Sequence, residues 1–144
     1  MSKTRKRRRG TAILERREGI LVAKGKRRCF LLPGGGAARG ESRTSAAKRE
    51  LGEETHLRAY YSKYLFRHVG IVHRQHGHCY RDYHTVCLFK ARGTPRPGQE
   101  IERVAFYRPG SGVHISYETR QIIEKYYRYK KRAKEKREAN KLDK

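Results

Sequence analysis

The sequence predicts an α/β domain in which a mixed sheet packs against helices. Three observations carry this expectation. Short runs rich in β-branched and aromatic residues, such as "GILVAKG" and "YRDYHTVCLFKARG", read as strands. Two segments, "SRTSAAKRELGEET" and the stretch from Ser116 onward, read as helices. The elements follow one another as strands, helix, strands, helix, an order that places helices on a mixed sheet.

Taken in order, "SKTRKRRRG" reads as a basic arm without fixed structure, because like charges repel and nothing apolar is available to pack. "TAILER" and "GILVAKG" are two short strands joined by "REG". "RRCFLLP" is a third strand, stopped by Pro33 and the glycines after it. Residues 34 to 42 form a glycine-rich loop. In the following helix Ser42 or Thr44 caps the start, and Ala46, Ala47 and Leu51 supply small apolar contacts. "LRAYYSKYLFRHVGIVH" and "YRDYHTVCLFKARG" are strands joined by a hairpin loop, "RQHGHC". "GTPRPGQ" is a turn-rich connection and "EIERVAFYRP" a last strand. The C-terminal helix has an apolar stripe of Ile122, Ile123, Tyr126 and Tyr127 in its first half. Its second half has almost no apolar face and projects into solvent. The divisions expected are a basic arm over 1–9, a domain over 10–127 and a basic helical extension over 128–144.

A chain of 144 residues suits one domain and buries a real core. Its net charge of +23 comes from all parts of the chain. Residues 1 to 10 carry six bases and no acid, and residues 117 to 144 carry eleven bases against five acids. The remainder carries twenty against nine, so its own excess is +11. A field of this sign attracts polyanions such as nucleotides, nucleic acid or the ribosome. Three cysteines, Cys29, Cys79 and Cys87, with no secretory segment, argue for reduced thiols and a cytoplasmic protein. No apolar run approaches membrane-spanning length, so no membrane association is expected.

Against this basic background the acids gather in one place. Of the nine Asp or Glu in residues 11 to 116, four fall within fourteen positions, from Glu41 to Glu54. On a helix, Glu50, Glu53 and Glu54 are three and four residues apart and share a face, while Arg49 is adjacent but off that face. Like charges so placed repel. A hard divalent cation such as Mg²⁺ or Mn²⁺, which prefers oxygen ligands, resolves the conflict. The bland alternative is an acidic face paired with Lys and Arg from elsewhere in the chain.

The stretch from Gly35 to Leu57 resembles the Nudix box. Gly35, Glu41, Arg49, Glu50, Leu51, Glu53, Glu54 and Leu57 stand at the family's spacing, and His56 replaces its glycine. The resemblance implies a Nudix-type α/β/α sandwich and hydrolysis of the diphosphate linkage in a nucleoside diphosphate joined to another group. It implies Mg²⁺ or Mn²⁺ held by Glu50, Glu53 and Glu54, with Glu41 assisting directly or through water. Arg49 would orient a glutamate. Gly35 would let the loop fold against the helix, and with Gly36 is a candidate for substrate binding. A metal lowers the pKa of a bound water, and a carboxylate serves as general base. Glu53 or Glu54 is placed for that role. Glu100 is a further candidate ligand or base, with Glu102 its rival. Members of the family often dimerise, which implies a homodimer.

His56 follows the helix, where the family glycine takes a left-handed cap. Histidine tolerates that region at a cost of about 1 kcal/mol. "HRQHGHC" offers His73, His76, His78 and Cys79 with His84 nearby, but at no spacing that makes a compact zinc finger. It reads as a histidine-decorated hairpin. Tyr60, Tyr61 and Tyr64 alternate only partly, so some are expected in the core. The expected function is a metal-dependent Nudix pyrophosphohydrolase, with RNA contacted by the basic arm and C-terminal helix. The alternative is a nucleic-acid or ribosome-binding protein on a Nudix scaffold. A zinc-structured binding module is a third reading.

Overall fold

The computed structural model describes residues 3–142. The chain forms strands β1 (Arg5–Arg16), β2 (Gly19–Lys24) and β3 (Gly34–Gly36), then helix α1 (Arg43–Thr55). Strands β4 (Arg58–Val69), β5 (His73–Gln75), β6 (His78–Arg92) and β7 (Arg103–Tyr107) follow, and α2 (Tyr117–Leu142) ends the chain. One mixed sheet runs in the order β4-β6-β1-β2-β7, with β3 on β1 and β5 on β6. Its helices lie on opposite faces, as an α/β/α sandwich requires.

Both faces of the central strands are covered, so their apolar stretches are continuous rather than alternating. Ala12, Ile13 and Leu14 in β1 are all buried, as are Ile20, Leu21 and Val22 in β2. Alternate residues feed two cores. Ile13, Val22, Val86, Ile122, Ile123 and Tyr126 pack on the α2 side. Ala12, Leu14, Leu21, Ala47, Leu51 and Phe89 pack on the α1 side.

Strands β1 and β6 pair in parallel from Arg5↔Tyr80 to Leu14↔Phe89. The basic stretch expected to lack structure is therefore strand from Arg5 onward. Its backbone groups join the β6 ladder, and alternation sends neighbouring cations to opposite faces, which relieves their repulsion. The expected third strand at 27–33 is reduced to isolated bridges, Ala23↔Leu31 and Phe30↔Ile115. There the chain wedges between β1 and β2, which pair only at Glu15↔Ile20 and Arg16↔Gly19. Ala12 N–H donates to Pro33 O at 2.8 Å instead of to β2. Part of the glycine loop is itself a strand, with Arg9↔Gly36, Gly10↔Gly35 and Thr11↔Gly34 in antiparallel register. The expected strand over 57–73 stops at Val69, and β5 resumes at His73. A tight turn closes the β5–β6 hairpin, with His76 at φ 51° and Gly77 at φ 78°, as two-residue hairpin loops favour.

Edge strand β4 carries register shifts between Ala59 and Tyr61 and between Tyr64 and Phe66. Tyr60, Tyr61 and Tyr64 are 60%, 44% and 53% exposed, so none of them joins the core. Helix α2 runs without a break past residue 127, and beyond Tyr129 its residues are largely exposed. Among the described residues no helix is long and apolar enough to cross a membrane.

Helix α1 lies directly on the backbone of β1. A Cβ at Gly10 would overlap the Arg43 carbonyl and stand 2.6 Å from Ala47 N. Both obstacles are helix backbone, so the layers would have to separate. Gly10→Ala is expected to destabilise the fold by about 2 kcal/mol or more, as overpacking does. Urea denaturation followed by circular dichroism checks this, and an unchanged midpoint would contradict the packing described.

Candidate active site

The carboxylates sit where β3, α1 and a later loop meet. Ser42 caps α1, its hydroxyl accepting from Ser45 N–H at 3.1 Å. At the other end His56 takes the left-handed conformation, φ 63° and ψ 13°, and its N–H donates to Gly52 O at 2.8 Å. His56 thus serves as the backbone cap that glycine would supply. The last carbonyls of α1 are closed by a segment forty residues away in sequence. Arg96, Gly98 and Gln99 donate their N–H groups to Thr55, Glu54 and Glu53 at 3.0, 2.8 and 3.0 Å. A side chain at Gly98 would overlap the Glu53 carbonyl, so only glycine permits this approach.

Arg49 organises the acids more fully than sequence adjacency suggests. Its Nε and Nη2 donate to Glu41 at 2.9 and 3.0 Å, and its Nη1 donates to Glu50 at 3.0 Å and Glu53 at 3.2 Å. Nη2 also reaches Gly36 O at 3.2 Å. Arg49 therefore does share the glutamate face, because its long side chain folds back over the i+4 position. Glu41 accepts Ala38 N–H as well, at 2.9 Å. The Arg49 hydrogen bonds, helped by that amide, hold the Glu41 carboxyl down at about 2. Arg49 is held more firmly protonated by Glu41 and Glu50.

Glu54 behaves oppositely. Burial pushes its carboxyl up to about 8, and hydrogen bonding with Glu50 adds to the rise. The Gly34 N–H, donating at 3.3 Å, works against the shift without cancelling it. Gly35 packs on Glu50: a Cβ there would stand 2.6 Å from Glu50 Cδ. The predicted residues thus divide into two groups. Glu54 is the desolvated one under the glycine strand, Glu41 and Glu53 are tied to Arg49, and Glu50 bridges the two, bound to both Arg49 and Glu54. Gly36 is exposed and gives its carbonyl to Arg49. Glu100 lies in the exposed turn just after the loop that caps α1, at φ 57°. Glu102, also exposed, donates its N–H to Lys24 O at 2.9 Å.

The donor set suits a hard divalent cation. Glu50 and Glu54 offer only oxygens, and Glu54 holds its proton because the Gly34 amide and the Arg9 charge do not offset its burial. Among the described residues no three of the box glutamates bring ligand atoms within 4.8 Å of one another, whereas a second group, Asp82, His84 and Glu118, does. There, however, both Asp82 oxygens accept from Arg7, at 2.7 and 3.1 Å. The His84 nitrogens face Thr11 Oγ1 at 2.7 Å and Glu118 at 3.0 Å. These groups already satisfy one another. Burial raises the Asp82 carboxyl, but Arg7 more than offsets this and the net shift is downward.

That second group lines a cleft of roughly 470 Å³ between β1, β6 and the start of α2. Arg7, Arg9, Thr11, Asp82 and His84 all face it from alternate positions of two paired strands. Sequence reasoning missed this set. The signal was present as period-two spacing in Arg7-x-Arg9-x-Thr11 and Asp82-x-His84. Recognising it required the parallel β1–β6 pairing, and Glu118 arrives from another element. The cleft reaches the glutamates through one residue: Arg9 donates to Gly34 O at 3.4 Å, and Gly34 N–H faces Glu54.

The family model described as NUDIX domain matches residues 4–126. The fold is similar to a nudix hydrolase family member from Chromobacterium violaceum, 37% identical, covering 89% of this chain and 79% of that one with a TM-score of 0.66. It is similar to a MutT NUDIX hydrolase from Burkholderia pseudomallei, 25% identical, covering 83% and 97%, TM-score 0.67. The NUDIX domain of Shewanella oneidensis NrtR, in complex with ADP ribose, shares the fold at 14% identity, 89% coverage of each chain and a TM-score of 0.64. No curated protein matches the chain.

Because the native Glu54 carboxyl holds its proton to about 8 and a free one only to 4.5, the unfolded state loses the proton first. Between these values the native state binds more protons, so metal-free stability falls as pH rises and levels off above about 8. Thermal melts in EDTA from pH 4 to 9 are expected to show this decline in the wild type and to lose most of it in Glu54→Gln. Parallel profiles for the two proteins would contradict the burial assigned to Glu54.

Proposed function

The chain belongs to the Nudix hydrolase family, and from that premise we propose that it cleaves the diphosphate linkage of a nucleoside diphosphate derivative held in the β1–β6 cleft. The observation that carries this reading is the junction at Gly34. Its carbonyl takes Arg9, which lines the cleft, and its N–H faces Glu54 of the box. A ligand whose nucleoside part enters the cleft therefore brings its phosphates to the carboxylates.

The chain's own groups divide the work. Arg7, Arg9 and Arg27 give the cleft a positive lining that suits phosphate. Arg7 is already committed to Asp82, so Arg9 is the cation that meets the diphosphate. His84 is held between Thr11 and Glu118, and presents a fixed ring edge to the bound nucleoside. Glu50, Glu53 and Glu54, assisted by Glu41, would hold Mg²⁺ or Mn²⁺. A divalent ion supplies neutralisation of phosphate charge and a lowered pKa for bound water. Glu54 is the favoured general base, since a carboxylate with raised proton affinity is the stronger base once ionised. Glu53 and Glu100 are the other candidates. Arg49 positions Glu41, Glu50 and Glu53 rather than touching substrate. Gly35 and Gly36 shape the floor that the phosphates cross.

ADP ribose, the ligand of the NrtR domain, is one nucleoside diphosphate derivative of the expected kind. Product release across such derivatives, with Mg²⁺ or Mn²⁺, tests the proposal. We expect activity on at least one. Loss in Glu53→Gln or Glu54→Gln should be about a hundredfold or more, the range for general base catalysis. Arg9→Gln should raise KM more than it lowers kcat. A metal-dependent rate untouched by Glu54→Gln and lost in Glu100→Gln would move the base to Glu100. Inactivity toward every derivative, with RNA binding intact, would favour the binding-protein alternative.

A further inference from the structure

The alternation of β1 sends its cations to two faces, and the two sets meet different partners. On the α2 side Arg7 is neutralised by Asp82. On the α1 side Lys6 and Arg8 face a separate cleft of roughly 380 Å³. Arg43 from the start of α1 and Arg67 from β4 complete its basic lining with Tyr83 and Thr85; His68, Val69 and His84 border it at the sheet edge, and no carboxylate of the described residues lines it. Lys6 Nζ lies 5.4 Å from the centre of the Tyr83 ring. The next β6 residue on this face, Arg81, pairs with Lys6 in register, and its buried Nε has no hydrogen-bond partner.

Four cations around one concavity repel one another unless an anion enters it. A buried guanidinium donor without an acceptor beside them is a second unmet demand of the same kind. The cations are also spread out. Arg8 aligns with Tyr83 and Arg67 with Thr85, on strands either side of β6. Strand spacing and rise put their Cα atoms about 12 Å apart. That span exceeds one phosphate group and suits several linked phosphates, with an aromatic ring available to a base. We propose that this cleft binds the phosphodiester backbone of single-stranded nucleic acid, at a site that shares only His84 with the nucleotide cleft. The assignment stands whether or not the hydrolytic reading does.

The test is fluorescence anisotropy with a short oligo-uridine RNA bearing a 5′-hydroxyl, in EDTA, over a range of salt. Arg8→Gln/Arg43→Gln/Arg67→Gln is compared with a charge-matched control on the exposed end of α2, Lys134→Gln/Lys136→Gln/Arg137→Gln. We expect the cleft variant to bind at least tenfold more weakly than the control. Its log–log salt slope should be shallower by about 2, the share of three phosphate contacts on a single strand. Equal losses in the two variants would overturn the proposal. Because the triple variant could fail to fold, wild-type protein is also photocrosslinked to 4-thiouridine RNA. Adducts at Tyr83 support the site, whereas adducts confined to α2 or to the Arg7–Arg9 cleft overturn it. Displacement of RNA by tripolyphosphate at equal or lower phosphate concentration would assign the cleft to free polyphosphate, and the nucleic-acid assignment would fall.

Discussion

The structure depends on the parallel ladder between β1 and β6. Ten registered pairs fix which way each residue of two long strands faces. A shift by one residue would exchange every side chain between the two helical layers. The buried Ala12-Ile13-Leu14 run anchors the register, because both of its neighbouring faces are closed. Once it is set, Arg7, Arg9 and Thr11 must face α2, and Lys6, Arg8 and Gly10 must face α1. One strand thereby supplies the floor of two clefts. It also brings a highly charged segment into regular structure that its composition alone would not sustain.

The second constraint is close approach between layers. Gly10 admits the backbone of α1, Gly35 admits Glu50 and Gly98 admits the Glu53 carbonyl. These contacts press carboxylates against backbone with little water between them. The result is a graded electrostatic site. Glu41, half-buried but gripped by Arg49, is a firm anion, whereas Glu54, deprived of solvent, keeps its proton. Residues of one chemical type, thirteen positions apart, thus acquire opposite proton affinities from their surroundings.

Much of this was legible in the sequence where the cause was local. The helix over 43–55 follows from a serine cap, small apolar residues and a non-proline run, and the left-handed stop at His56 follows from its place after the last turn. The β5–β6 hairpin announced itself through His76-Gly77. What was not legible had non-local causes. "RRCFLLP" has strand composition, yet its backbone serves as a wedge between β1 and β2 and makes only single bridges. The arm has the composition of a disordered segment, yet β6 offers it a ladder. Tyr60, Tyr61 and Tyr64 have the profile of core residues, but the irregular edge strand turns them outward. The grouping of Arg9, Thr11, His84 and Glu118 needs three elements brought together, which no spacing along the chain encodes.

The capping of α1 by residues 96–99 also bears on how the chain reaches this form. In the final turn of the helix His56 completes the Gly52 carbonyl, but those of Glu53, Glu54 and Thr55 are completed by Gln99, Gly98 and Arg96. Between these partners lie β4, the β5–β6 hairpin and all of β6. During synthesis α1 has its own cap at Ser42 and its own stop at His56, but the carbonyls of residues 53–55 gain these partners only once the intervening sheet has paired. Loop closure of this length is a late and slow event. The chemistry-bearing end of the helix is therefore among the last parts of the domain to become ordered.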